Sequence, residues 1–212
     1  MDVVVAGGHG KIAMHLLRML ANGGHRGRGL IRNPEHAADL ERIGAEAVVC
    51  DLERTVDLTG AVVGADAVVF AAGAGPGSGP ERKRTVDLGG AVKLIEAAKS
   101  AAVTRYVMVS AIGASDPTRG PEEMRPYLEA KAEADRRLAA SGLDFTIVRP
   151  GRLTDDAGSG KVRAGTEVER GDITREDVAA TLLAVLGEPG TAGKVFNLVE
   201  GDVPIGEAVR SV

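Results

Sequence analysis

The sequence predicts an α/β fold, a doubly wound parallel sheet with helices on both faces. Three observations carry this. Short apolar runs recur along the chain, longer stretches with helical periodicity separate them, and the runs are apolar throughout rather than alternating, as suits strands covered on both faces. The chain has 212 residues, a length that fits one domain able to bury a core without staples.

The first run is Val3-Val4-Val5-Ala6, closed by Gly7-Gly8. Ile12, Leu16, Leu17 and Leu20 then line one helical face. Gly29-Leu30-Ile31 is the weakest strand candidate, since it has almost no β-branched content. Runs at 47–50, 67–72, 106–109 and 145–148 follow. Between them, Leu88, Val92, Ile95 and Ala98, and later Leu128, Ala132 and Leu138, repeat at helical spacing. After Pro150 the composition shifts to Gly, Asp and Thr, with a short hairpin expected over 161–168. Thr174 is placed to cap a helix with Glu176 and Asp177 in its first turn, and Val195-Phe196-Asn197-Leu198-Val199 reads as a late strand. The whole is expected to be one domain over 1–212, with 151–212 contributing a small cap over the substrate.

Composition excludes several function classes. Lys and Arg number 26 against 30 Asp and Glu, a net charge of −4, so no basic field exists to hold a nucleic acid. Aromatic residues are only 2%, which argues against base stacking. The single cysteine, Cys50, excludes an internal disulfide, and His9, His15, His25 and His36 share no metal-ligand spacing, so no metal is expected. No apolar run reaches membrane length and Met1-Asp2-Val3 does not open a signal peptide. The expectation is a cytoplasmic protein with a small-molecule substrate, no nucleic-acid or membrane partner, and a monomeric or homodimeric state.

The loop Gly7-Gly8-His9-Gly10-Lys11-Ile12-Ala13 lies between the first strand and a helix, in the spacing Gly7-x-x-Gly10-x-x-Ala13. Gly7 permits a tight turn, Gly10 lets the backbone approach a pyrophosphate held by the helix N-terminus, and Ala13 allows close helix–strand packing. His9 either touches phosphate or points outward. At the end of the second strand, where an NAD-selective site usually carries an acid, stands Arg32. A guanidinium there suits a 2′-phosphate, with Lys11 adding charge, so NADP (NADPH) is the expected cofactor. Asp51 either accepts from the adenine amino group, with Leu52 packed on the ring, or caps a turn. Ala71-Ala72-Gly73 carries nothing larger than a methyl where the chain must pass the cofactor ribose. The glycine-rich stretch 73–80 is a candidate lid, and Glu81-Arg82-Lys83-Arg84 reads as a solvated face before a helix or, following the fourth-strand loop on the ligand rim, as a contact for an anionic substrate.

Tyr127 precedes Lys131 by four residues, which places both on one helical face. An ammonium beside a phenol would lower its pKa from about 10 toward neutrality and prepare it to protonate a substrate carbonyl. Ser110, closing the fifth strand, falls on the same rim, where its hydroxyl would orient that carbonyl.

With these motifs and Val148-Arg149-Pro150-Gly151, the chain resembles the atypical short-chain dehydrogenases/reductases of the single-domain NAD(P)H-binding type, a group that includes flavin and biliverdin-IXβ reductases. The resemblance covers nearly the whole chain. It implies a Rossmann-like sheet, bound NADP and a substrate pocket over the nicotinamide, with Pro150, Gly151 and Leu153 on the nicotinamide side. The asparagine of fuller catalytic tetrads has no counterpart, and the helix after Gly73 offers Asp87 instead. The expected activity is NADPH-dependent hydride transfer to a small carbonyl, quinone or flavin-like acceptor. The alternative is a non-catalytic NADP-binding redox sensor. A sugar-nucleotide epimerase is disfavoured, because about 60 residues after Pro150 are too few for its substrate domain.

Overall fold

A computed structural model describes residues 1–75 and 77–212 of the chain. In order, the elements are β1 (Asp2–Ala6), α1 (Lys11–Asn22), β2 (Arg26–Ile31), α2 (Ala37–Arg42), β3 (Glu46–Val49), α3 (Thr59–Val62) and β4 (Ala67–Phe70). Next, α4 (Pro80–Arg82) runs through a π-helical stretch (Lys83–Gly90) into α5 (Ala91–Ser100). Then come β5 (Arg105–Val109), α6 (Arg125–Ala139), β6 (Asp144–Pro150), β7 (Arg152–Thr154), β8 (Lys161–Gly165) and β9 (Asp172–Thr174). The chain closes with α7 (Arg175–Leu186), β10 (Lys194–Glu200), β11 (Val203–Pro204) and α8 (Ile205–Arg210).

The nine-stranded sheet has the order β11-β8-β10-β6-β5-β4-β1-β2-β3. From β3 to β10 every pairing is parallel, whereas β8 and β11 run antiparallel to their neighbours. This is the doubly wound sheet the apolar runs predicted. Chain order reverses between β1 and β4, so a crevice opens outside their C-terminal ends.

Alternation along the strands feeds two cores. Val3 and Val5 face Leu16, Leu17 and Leu20 of α1 and Val178 and Leu182 of α7. Val4, Val68, Phe70 and Met108 face Leu94 and Ile95 of α5 and Ala134 and Leu138 of α6. Covering both faces is what makes the strand sequences continuously apolar.

The weak candidate at 29–31 proves to be part of a six-residue interior strand, β2, paired with β1 and β3, and packing explains its composition. A Cβ at Gly29 would lie 2.4 Å from Leu40 Cδ2, and one at Gly8 would lie 2.7 Å from the Gly29 Cα. The glycines of β2 are demanded by the loop and helices pressed on them, against strand propensity. Gly8→Ala sets backbone against backbone and should cost about 1–3 kcal/mol, read as a lowered thermal midpoint. Gly60→Ala in α3, where a Cβ meets nothing within 4 Å, should leave the midpoint unchanged or raise it slightly.

Two local expectations are corrected. Among the described residues no hairpin forms within 161–168: β8 pairs instead with β10, Asn197 opposite Gly165 and Glu200 opposite Val162, and with β11. The edge of β10 supplied a longer partner than the chain's own turn. The charged run 81–84 lies inside the helix that starts at Pro80 rather than before it; Glu81 and Arg84 face solvent, while the partly exposed Arg82 and Lys83 reach Glu53 and the Gly75 carbonyl. The expected lid at 73–80 includes Pro76, which lies outside the described residues. As predicted, Thr174 caps α7, its Oγ1 accepting the Asp177 N–H at 3.0 Å. Among the described residues no helix is long and apolar enough to cross a membrane.

Candidate functional site

A cleft of about 310 Å³ opens where β1 and β4 part. Of the residues singled out from the sequence as cofactor contacts, Gly7, His9, Gly10, Arg32, Asp51, Leu52, Ala71, Ala72 and Gly73 line it. The loop geometry fits a dinucleotide phosphate. Gly7 has φ +81° and lies so close to β4 that a Cβ would stand 2.7 Å from the Ala72 Cα. Gly10 caps α1 without a side chain, and the first turn of that helix contains no acid. The leading amides of α1 therefore have no side-chain acceptor, which is the arrangement that receives a pyrophosphate.

The remaining candidates lie elsewhere. Gly8 packs on β2, its N–H donating to the Leu30 carbonyl at 2.9 Å. Ile12 is buried in the core of the α1 face. Lys11 does not reach toward Arg32 but pairs with Asp155, which also holds Arg175 at 2.6 Å. Pro150, Gly151 and Leu153 are absent from the cleft lining. Gly151 donates its N–H to Leu198, and a Cβ there would stand 2.1 Å from the Gly171 carbonyl oxygen. Close backbone approach alone accounts for that glycine.

Around Arg32 the cleft is charged. The Arg32 Nη1 lies 3.5 Å from Glu53 Oε2, and Arg82 Nε lies 3.3 Å from the same oxygen. The Glu53 N–H donates to Asp51 Oδ1 at 2.9 Å, so Asp51 closes a turn while also lining the cleft. His9 is not a free outward ring. It stacks on His36 at 3.7 Å and places Nε2 2.7 Å from Asp39 Oδ2. That hydrogen bond, with Arg42 nearby, holds the Asp39 carboxyl below the usual carboxylate range. His36 and Glu53 had no assigned role in the sequence, since only the fold brings them to the cleft, whereas Arg82 belongs to the charged run whose position after the fourth strand offered an anion contact.

Tyr127, Lys131 and Ser110 are also absent from the cleft lining; they form a second cluster at the inner face of α6, linked to the cleft through Ala72. Tyr127, Lys131 and Asp135 succeed one another at intervals of four. Lys131 is 3% exposed. Its Nζ donates to the Val109 carbonyl at 3.1 Å and the Ala72 carbonyl at 3.5 Å, and stands 3.4 Å from Asp87 Oδ1. Ala72 thus belongs to both the cleft and the lysine site. Asp87 is fully buried, and its Oδ2 accepts the Ala74 N–H at 3.1 Å.

Two expectations about chemistry are corrected here. Lys131 Nζ is 5.9 Å from the centre of the Tyr127 ring, yet the phenol pKa is raised rather than lowered. Burial raises it, Lys131 opposes, and the Asp87 and Asp135 carboxylates add to the rise. Ser110, in turn, is buried, and its Oγ donates to Asp135 Oδ2 at 2.9 Å instead of standing free for a substrate. The Arg149 Nε donates to the same oxygen at 2.9 Å. Burial nonetheless holds the Asp135 carboxyl above its ordinary range, and its Oδ1 has no hydrogen-bond partner among the described residues. Asp135 was legible in principle as the next residue on the Tyr127–Lys131 face.

The model of the NAD(P)H-binding family matches residues 7–189. The chain belongs to that family. A Bacillus subtilis (strain 168) protein named as an uncharacterized sugar epimerase, YhfK, is 42% identical over 214 residues, covering 100% of both chains. A Bacillus halodurans structure that carries the provisional label of an NAD-dependent epimerase/dehydratase is 41% identical, with a TM-score of 0.95 and 100% of both chains covered. The oxidoreductase ylbE from Lactococcus lactis is 30% identical, with a TM-score of 0.89 over 100% of this chain and 96% of that one. Membership of an NAD(P)H-binding, oxidoreductase-like family agrees with the resemblance the motifs suggested. Gly7, Gly10, Arg32, Asp51, Leu52 and 71–73, which carry part of that resemblance, line the cleft at the β1–β4 divide.

Proposed function

We propose that the protein is an NADPH-dependent reductase that passes hydride to a small carbonyl, quinone or flavin-like acceptor. Gly7, Gly10 and the N-terminus of α1 would seat the pyrophosphate, Leu52 the adenine side, and Arg32 the 2′-phosphate. The bound reduced nicotinamide would supply the hydride. Lys131, held by the carbonyls at the ends of β4 and β5, would contact the nicotinamide ribose, and Tyr127 would protonate the acceptor oxygen.

The observation that carries the reductive reading is the half-buried Tyr127 phenol one helical turn before buried Lys131, whose Nζ lies 5.9 Å from the centre of its ring. Reduction of a carbonyl needs a proton donor at the oxygen. The roughly 60 residues after Pro150 favour a small acceptor over the sugar in the Bacillus subtilis relative's name. A second reading, an NADP-binding redox sensor without turnover, draws on the capture of the Ser110 proton by Asp135.

A panel of carbonyls, quinones and flavins, followed by the absorbance of reduced nicotinamide, separates these. Stoichiometric NADPH oxidation supports the reductase, and tight NADPH binding with no oxidation supports the sensor. Interconversion of sugar-nucleotide epimers without net cofactor loss supports the epimerase. Selectivity gives a second test. Arg32→Asp should move preference from NADPH toward NADH by the loss of a charge-assisted pair worth roughly 1.5–3 kcal/mol, or about 10- to 150-fold. An unchanged ratio of dissociation constants would remove Arg32 from phosphate recognition.

A further inference from the structure

We propose that Glu53 sets the balance between NADPH and NADH, because it holds Arg32 and Arg82 as a ready-made anion clamp that a 2′-phosphate must take over. This rests on the reading that the 2′-phosphate faces Arg32, and adds to it a second guanidinium and an internal competitor.

The two arginines come from distant parts of the chain, Arg32 just after β2 and Arg82 at the end of α4. They converge on one carboxylate oxygen, at 3.5 and 3.3 Å. All three side chains line the cleft. Two guanidiniums on one oxygen form a site for an anion, and here the protein's own carboxylate stands in it.

The partners differ in freedom. The Arg32 and Arg82 side chains are 59% and 40% exposed, whereas that of Glu53 is 26% exposed. Glu53 is also fastened from several sides. Thr85 Oγ1 donates to its Oε1 at 2.7 Å, its N–H is held by Asp51, and its carbonyl oxygen accepts from Lys93 Nζ at 3.2 Å. The arginines can swing to an incoming phosphate while the carboxylate stays. A 2′-phosphate then gains two charge-assisted partners but meets a fixed negative charge beside them. A ribose 2′-hydroxyl meets no such repulsion, and finds in Glu53 an acceptor. Glu53 consequently draws the preference toward NADH, and Arg82 draws it toward NADPH.

The test uses the full chain and four ligands, NADPH, NADH, 2′,5′-ADP and ADP, with dissociation constants from calorimetric titration. The two adenosine probes lack the nicotinamide, so events at Tyr127 and Lys131 do not enter. Glu53→Gln keeps an oxygen for Thr85 and removes the charge. It should tighten NADPH and 2′,5′-ADP by about tenfold and leave NADH and ADP within about threefold. Arg82→Gln should weaken NADPH and 2′,5′-ADP by about fivefold with NADH and ADP unchanged. Equal weakening of all four ligands by Arg82→Gln would mean that this residue only covers the adenine, and would overturn the clamp. An unchanged NADPH to NADH ratio in Glu53→Gln, with an unaltered thermal midpoint, would overturn the role of Glu53. Arg32→Gln distinguishes the two levels. If it abolishes the preference while Glu53→Gln does nothing, only the present proposal fails. If neither matters, the 2′-phosphate does not face this cluster at all.

Discussion

Tyr127→Phe should lower turnover at least about a hundredfold while NADPH affinity stays within a few-fold, because it removes a proton donor and little else. The phenol oxygen is the only part of the side chain with a role in the proposed step, and the ring that packs beside Lys83 and Lys131 remains. The raised phenol pKa also fixes the sign of the pH dependence. A group with its pKa above the ordinary value near 10 stays protonated throughout the neutral range. The Tyr127-dependent step should therefore be insensitive to pH near neutrality and decline only in strongly alkaline solution, as the donor is lost. Unchanged turnover in the variant would mean that no proton comes from Tyr127, and hydride would then pass directly to a flavin-like acceptor.

Lys131→Met should be the most damaging single substitution for stability. The Asp87 carboxylate is fully buried and would keep one hydrogen bond, from the Ala74 N–H, after losing the ammonium at 3.4 Å. Breaking a buried pair from one side costs about 3–5 kcal/mol, seen as a large fall in the denaturation midpoint. The double variant Lys131→Met with Asp87→Asn removes both charges and keeps an acceptor for Ala74. It should recover most of the stability and none of the turnover. Recovery of turnover as well would show that Lys131 is only a structural cation.

The parallel sheet was legible because a short, continuously apolar run between helical stretches suits a strand covered on both faces, and the strand–loop–helix context made the glycine loop specific. The weak strand was weak for a reason its own residues do not show, since Gly27 and Gly29 answer to the packing of the flanking helices α1 and α2 against β2. The cleft was legible from strand ends alone: Arg32, Asp51, Leu52 and 71–73 all line it. What failed was the pairing of charges. Lys11 found Asp155, Ser110 found Asp135, and Arg32 found Glu53. Each partner is remote in sequence and is chosen by the tertiary fold. The sign of the Tyr127 shift failed for the same reason. The helical spacing to Lys131 is local, whereas burial and the Asp87 carboxylate come from packing against another helix.

The central claim is tested most directly by mixing the purified chain with NADPH and the acceptor panel and measuring oxidised cofactor against reduced acceptor. The expected result is equimolar formation of both with at least one carbonyl, quinone or flavin, abolished for carbonyl acceptors by Tyr127→Phe. Saturable NADPH binding with no oxidation across the whole panel would contradict it.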